Sequence, residues 1–194
     1  MLDNEVLRCI QDRRSTRAFK DCQIEDAQLD ELLNAAVWAP SGGNNQTWLF
    51  TAIQNKEKLL HLNTLVREGF QRWVPDNGYP SKLAAKERSA NPDYNFCFHA
   101  PTLIIASNRP QYANAMADCA LAMQNIFLAA QSIGLGSCYV NQLHWLENDH
   151  HIRAYLFKMG IPTEHVICAA AAIGYIAVAS TAPARKDNTI QIIR

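Results

Sequence analysis

Neither charge is in excess in this sequence: 18 lysines and arginines stand against 18 aspartates and glutamates over 194 residues. A chain so balanced has no overall field to gather nucleic acid or anionic lipid, so neither a nucleic-acid nor a membrane partner is expected. Its six cysteines (Cys9, Cys22, Cys97, Cys119, Cys138, Cys168) contain no CxxC pair, which argues against a zinc knuckle or an iron–sulfur centre, and no metal is expected. Most sit among apolar residues and read as small core fillers. The sequence has no GxGxxG or GxxxxGK[ST] phosphate loop and no GxSxG nucleophile elbow, so a dinucleotide, if it binds, is expected as a transient substrate. The longest uncharged run, Val166 to Ala184, approaches the ~20 apolar residues of a membrane span. Its four consecutive alanines, Gly174, Ser180, Thr181 and Pro183 instead predict a buried strand followed by a loop. No cationic segment leads into an apolar run at the start, and reduced thiols in a cytoplasmic protein are the expectation. Repeats, low-complexity tracts and recognisable linkers are also missing, which predicts a single domain over residues 1–194.

What the sequence does have is a local concentration of positive charge. RRSTRAF, residues 13–19, places Arg13, Arg14 and Arg17 around Ser15 and Thr16. Arginine offers a planar fork of donors that matches phosphate oxygens and keeps its charge at any physiological pH, so the segment is a candidate phosphate seat. Leu2, Val6, Leu7 and Ile10 recur at helical spacing and predict an amphipathic helix over residues 3–12 that delivers the chain into it. A second helix is predicted over 26–39, stopped by Pro40, and the SGGNNQ loop after it leads into the strand-like WLFTAI. Residues 59–73 are predicted helical, and residues 75–98, with three prolines, read as an excursion or lid. Strands are predicted over 102–106, at SCYV and over 166–173, and a further helix over 146–159. Between them, residues 118–133 carry apolar side chains around nearly the whole circumference of a helix, which must be buried on most sides in a core or at a subunit interface. The alternation signals a layered mixture of helices and strands.

RRSTRAF resembles the RRSxRxF segment of the nitroreductase family, flavin enzymes that hold FMN at a dimer interface. APSGGNNQTW (39–48) is similar to that family's APSxxNxQPW loop, DCALAMQNIFLAAQSIGLGSCYV (118–140) to its central helix and following strand, and PARK (183–186) to its C-terminal basic segment. The resemblance covers the chain apart from residues 75–98. It implies an α+β, nitroreductase-like three-layer α-β-α fold, a mixed, mainly antiparallel sheet flanked by helices, in an intertwined homodimer. It implies further that the FMN phosphate is bound by Arg13 and Arg185, with Lys186 beside the latter and Arg14 and Ser15 near the ribityl chain. Arg17 would lie near the N1–C2=O edge of the ring as an electrostatic tuner. Pro40, Ser41, Gly42 and Asn44 would reach the flavin from the partner subunit, and Tyr139, Val140 and Asn141 would lie along the ring. The C-terminal arm, about residues 183–194, would extend over the partner.

The function so implied is an FMN-dependent oxidoreductase of ping-pong type. It would take hydride from NAD(P)H onto flavin N5 and pass it to an electrophilic small-molecule acceptor such as a nitroaromatic or quinone, with no side chain required as a catalytic acid or nucleophile. The alternatives are a specialised flavoenzyme of the same fold (a dehalogenase, a dehydrogenase or oxidase, or a flavin-fragmenting enzyme) and a flavin binder without turnover. Two departures stand out. Thr47 replaces the usual proline, and Asn141–Gln142 stand where relatives often carry glycine or an acidic residue. Among the histidines, His150 and His151 are adjacent and point about 100° apart on a helix, so they are expected on a solvated face. His99 and His144 are expected to be hydrogen-bonded structural residues.

Overall fold

The computed structural model describes residues 4–75, 79–187 and 189–194. In chain order its elements are α1 (Glu5–Asp12), α2 (Asp26–Val37), β1 (Leu49–Ile53), α3 (Lys56–Arg72), α4 (Pro80–Ser89), β2 (Thr102–Asn108), α5 (Ala115–Ser132), β3 (Leu135–Val140), α6 (Gln142–Trp145), α7 (His150–Lys158) and β4 (Val166–Tyr175). The strands form one sheet in the order β1-β2-β4-β3, every neighbour antiparallel. Among the described residues, the expected mixed character survives only as an isolated parallel bridge between Ser15 and Ser137.

Alternation along the central strands builds two cores. Leu103 and Ile105 of β2, with Ala170 and Ala172 of β4, point to the side packed by α3, α6 and α7. Ile104 and Ala106, with Ala171 and Ile173, point to the side packed by α2 and α5. Period-two alternation is thus hidden in a run that is apolar throughout, because helices cover both faces. Each fully buried Leu or Ile contributes about 1.5–3 kcal/mol relative to exposure. A bulge interrupts the β2–β4 register: Ala106 pairs with Ala169 and Ser107 with Ile167, so Cys168 is an extra residue and joins Ala169 in the core beneath α5.

Four expectations need correction. The helix predicted over 146–159 begins only at His150: α6 ends before that span, at Trp145, the chain turns over 146–149, and α7 starts where Asp149 Oδ1 accepts from the His151 and Ile152 amides at 3.0 and 3.1 Å. α2 ends at Val37 rather than at 39, since the residue before a proline is driven out of the helical region. Residues 79–98, expected as part of a lid, are tied into the body. Ala85, Phe96 and Cys97 are buried, and Lys86 Nζ donates to the Phe70 and Trp73 carbonyls, both at 2.7 Å, satisfying the last turn of α3. Residues 76–78 of that stretch lie outside the described residues. His150 and His151, expected to diverge, bring their rings to 3.9 Å on an exposed face.

Of the cysteines, Cys97, Cys119, Cys138 and Cys168 are buried, Cys9 is half-buried and Cys22 is exposed. His144 Nδ1 lies 2.8 Å from the Ile167 carbonyl, whereas His99 is exposed. Among the described residues no helix is long and apolar enough to cross a membrane, and no three His, Cys, Asp or Glu side chains are grouped to hold a metal.

Candidate flavin site

The arginine segment is bound to the edge of the sheet. The Thr16 amide donates to the Ser137 carbonyl of β3 at 2.8 Å, and farther on the Lys20 amide donates to the Tyr175 carbonyl at 2.9 Å. Thr16 is buried against Gly136, where a Cβ would stand 2.6 Å from Thr16 Oγ1. Glycine at 136 is therefore what lets the segment approach the strand. With Thr16 turned inward, Arg13 and Arg14 are half-buried and Arg17 is exposed. Arg14 donates to the Arg13 carbonyl at 2.8 Å, which orients its guanidinium. Burial raises the pKa of the Cys138 thiol on β3, while Arg17 and Arg13 both pull it down, so the two cations share the space around that residue. The Arg17 guanidinium also lies 5.8 Å from the Phe98 ring centroid. Phe98 and His99 hold φ of 59° and 56°, a left-handed pair fixed by Asn95 Oδ1, which accepts from the Cys97 and His99 amides. Two such non-glycine residues in succession are strained, and strain of this kind collects at functional sites.

At the end of β3, Tyr139 is half-buried, with its ring edge-on to Phe127 and its hydroxyl 3.4 Å from the Cys168 carbonyl. Burial is the main cause that raises its pKa. Val140 is buried, and Asn141 is half-buried at the start of α6. Gln142 Nε2 lies 3.3 Å from the Tyr94 hydroxyl, while its Oε1 is buried with no partner.

The second predicted cluster lies elsewhere. Pro40, Ser41, Gly42 and Asn44 belong to a loop held against the first turn of α5, where the Gly42 amide lies 3.2 and 3.3 Å from the two Asp118 carboxylate oxygens. The arginine segment follows α1, which reaches the far half of α5 through the Cys9 thiol donating to the Leu128 carbonyl. Asp118 and Leu128 are ten residues apart, about 15 Å along a helix. Within one chain the two clusters therefore mark opposite ends of α5. Arg185 and Lys186 lie in an exposed arm that leaves the body at the arginine segment, where the Ser180 hydroxyl lies 3.4 Å from the Ser15 carbonyl.

A family model described as the nitroreductase family matches residues 10–175. The chain belongs to the nitroreductase family. A nitroreductase of Bacteroides fragilis solved with bound FMN is 38% identical and superposes with a TM-score of 0.91, over 99% of this chain and 100% of that one. A nitroreductase of Desulfitobacterium hafniense, also with bound FMN, is 26% identical with a TM-score of 0.84 over the whole of both chains. A provisionally named NADH dehydrogenase/NAD(P)H nitroreductase of Archaeoglobus fulgidus is 29% identical over 171 residues, 88% of this chain and 85% of its own length.

Thr16, read from the sequence as part of the phosphate seat, is buried and anchors the arginine segment instead; sequence reasoning passed over Phe98, which faces Arg17, and Tyr112 and Asp118, which hold the SGGNN loop. An acidic residue inside the first turn of an otherwise apolar helix was a usable signal for Asp118. Tyr112 and Phe98 carried no signal, because Gly42 and Arg17, which they meet, lie far from them in sequence.

Proposed function

We propose that this oxidoreductase holds FMN between two copies of the chain and uses NAD(P)H to reduce a small electrophilic acceptor such as a nitroaromatic or a quinone. The observation that carries the reading is the docking of the arginine segment on β3, which sets Arg13 and Arg17 together beside Cys138 and next to Tyr139, Val140 and Asn141. The donor set fits FMN. Arg13, Arg14 and Ser15, joined by Arg185 and Lys186 from the arm, supply charged forks and a hydroxyl suited to a phosphate. The partnerless Gln142 Oε1 leaves an acceptor free beside the strand end. Bound FMN supplies the two-electron carrier chemistry, taking hydride from NAD(P)H and giving reducing equivalents to the acceptor. The chain's residues bind and orient. Arg17 adds a fixed positive charge that favours reduction, and Pro40, Ser41, Gly42 and Asn44 enter from the partner subunit.

Apolar surface left open on one chain supports the pairing. α1 buries no residue, leaving Val6 and Ile10 exposed. Along α5, Met116, Ala117, Ala120 and Leu121 form an exposed stripe beside Gln124 and the half-buried Leu128. Ile190, Ile192 and Ile193 of the arm are exposed as well. Such patches mark interaction surfaces, and a second copy would cover them, with residues 183–194 extending onto it. The test is an anaerobic absorbance titration of the flavin-loaded protein, first with NADH and then with NADPH. Bleaching by either nucleotide, followed by recovery on adding a nitroaromatic or quinone, is the expected result; a flavin that resists both refutes turnover.

A further inference from the structure

The SGGNN loop is bonded within itself, the Asn44 and Asn45 amides donating to the Ser41 and Gly42 carbonyls and the Gln46 amide to Ser41 Oγ, and is anchored from outside. Gly43, Asn44 and Gln46 have φ of 60°, 54° and 49°, and a non-glycine residue such as Gln46 adopts that conformation only when its surroundings impose it. A two-residue clamp fixes the loop to the body at Gly42. Asp118, 4% exposed, receives the Gly42 amide on its carboxylate. The Tyr112 hydroxyl lies 2.7 Å from Asp118 Oδ2 and 2.9 Å from the Gly42 carbonyl, so it bridges the carboxylate to the loop. Gly42 is packed so closely that a Cβ there would collide with the Asn114 side chain and stand 2.6 Å from the Tyr112 hydroxyl. Asp118 also stands in the first turn of α5, at the positive end of the helix dipole.

We propose that Asp118 and Tyr112 are positioning residues for flavin binding, and that they act in trans: the clamp of one chain shapes the loop that completes the partner's FMN site and leaves its own chain's site untouched. This rests on the reading above that the loop enters the partner's site. The physical basis is the separation already described, with the clamp at the first turn of α5 and α1, which leads into the arginine segment, bonded through Cys9 to Leu128, about 15 Å away along the helix. A buried carboxylate that only stabilised its own subunit would give the same local bonds, so the discriminating measurement must assign the effect to a particular site of the dimer.

Mixed dimers make that assignment. Asp118→Asn keeps the side chain's size but puts an amide donor where the carboxylate accepts two, and Tyr112→Phe removes only the hydroxyl, serving as the milder variant should the first fold poorly. Each variant homodimer is expected to bind FMN more weakly, by about tenfold for Asp118→Asn. A chain carrying Asp118→Asn, or Tyr112→Phe, is then co-expressed with a differently tagged chain carrying Arg13→Ala, and the mixed dimer is titrated with FMN. Action in trans concentrates both defects in one site and leaves the other intact, so one FMN per dimer binds with wild-type affinity. Action in cis damages one site through each chain; a mixed dimer with no wild-type-affinity site overturns the proposal, as do variant homodimers that bind FMN normally. A monomeric wild-type protein in sedimentation, or an Arg13→Ala homodimer with unchanged FMN affinity, overturns the underlying reading of the site and the clamp with it.

Discussion

Replacing Gly136 with alanine tests whether close approach to β3 is what positions the arginines. The new Cβ would stand 2.6 Å from Thr16 Oγ1 and 2.8 Å from both Thr16 Cβ and Cγ2. Comfortable carbon contacts lie near 3.5–4.0 Å, so roughly 1 Å of relief is required. β3 is held along its length by six residue pairs with β4, whereas the segment opposite is held by the Thr16 amide and a few neighbouring bonds. The segment therefore yields. Overpacking costs about 1–3 kcal/mol, and loss of the 2.8 Å Thr16–Ser137 hydrogen bond about 0.5–1.5 kcal/mol more. Removing a glycine from the unfolded chain returns about 0.4–1 kcal/mol. The net destabilisation is about 2 kcal/mol, equivalent to about 4–8 °C in Tm for a chain of this size. Thermal unfolding of the FMN-free protein, followed by circular dichroism at one protein concentration, measures it, and FMN titration should show weaker binding in parallel. Thr16→Ala removes Oγ1 and Cγ2 but leaves Cβ, so it should rescue Gly136→Ala in part, and the double-mutant cycle should show coupling of about 0.5 kcal/mol or more. An unchanged or raised Tm for Gly136→Ala would refute the packing argument.

Arg13→Ala should weaken FMN binding by roughly ten- to a hundredfold, the worth of a charge-assisted hydrogen bond, and fluorescence titration at fixed salt reads it directly; Arg185→Ala should shorten FMN retention through dialysis, and full retention would remove that residue from the phosphate seat. Leu121→Glu puts a charge into the exposed stripe of α5 and should shift sedimentation toward monomer while lowering flavin content, whereas an unaltered dimer would move the interface elsewhere. Acid should destabilise the fold in two steps. Burial, with help from Arg109 and Arg153 and against Glu164, holds His165 below its ordinary 6.5, so as pH falls through that value the unfolded chain binds a proton that the folded chain refuses, and stability drops. Asp149 is lowered from 3.8: burial pushes it upward, but Arg72 and the Ile152 and His151 amides outweigh burial, so its contribution is present above 3.8 and lost as pH falls below. Urea unfolding between about pH 7.5 and pH 5.5 isolates the first step, which His165→Gln should flatten.

Local chemistry determined a good deal of this protein from sequence alone. Pro40 ends a helix because the preceding residue cannot stay helical, residues 166–173 form a strand because apolar residues bounded by turns bury well in a sheet, and the arginine fork suits a phosphate at any pH; each cause acts within a few residues. Tertiary structure decided what depends on partners distant in sequence. The helix read over residues 146–159 starts only at His150 because Asp149 is drawn to Arg72, 77 residues away, and to the amides that follow it. Residues 79–98 read as an excursion or lid from their prolines, yet Ala85, Phe96 and Cys97 join a core shared with α3, α6, α7 and the sheet. The same limit applies at the site. RRSTRAF and SGGNN were visible as motifs, but the sequence does not contain the distance between them. That separation is set along α5, where the SGGNN loop meets Asp118 in the first turn and α1, which leads into RRSTRAF, meets Leu128.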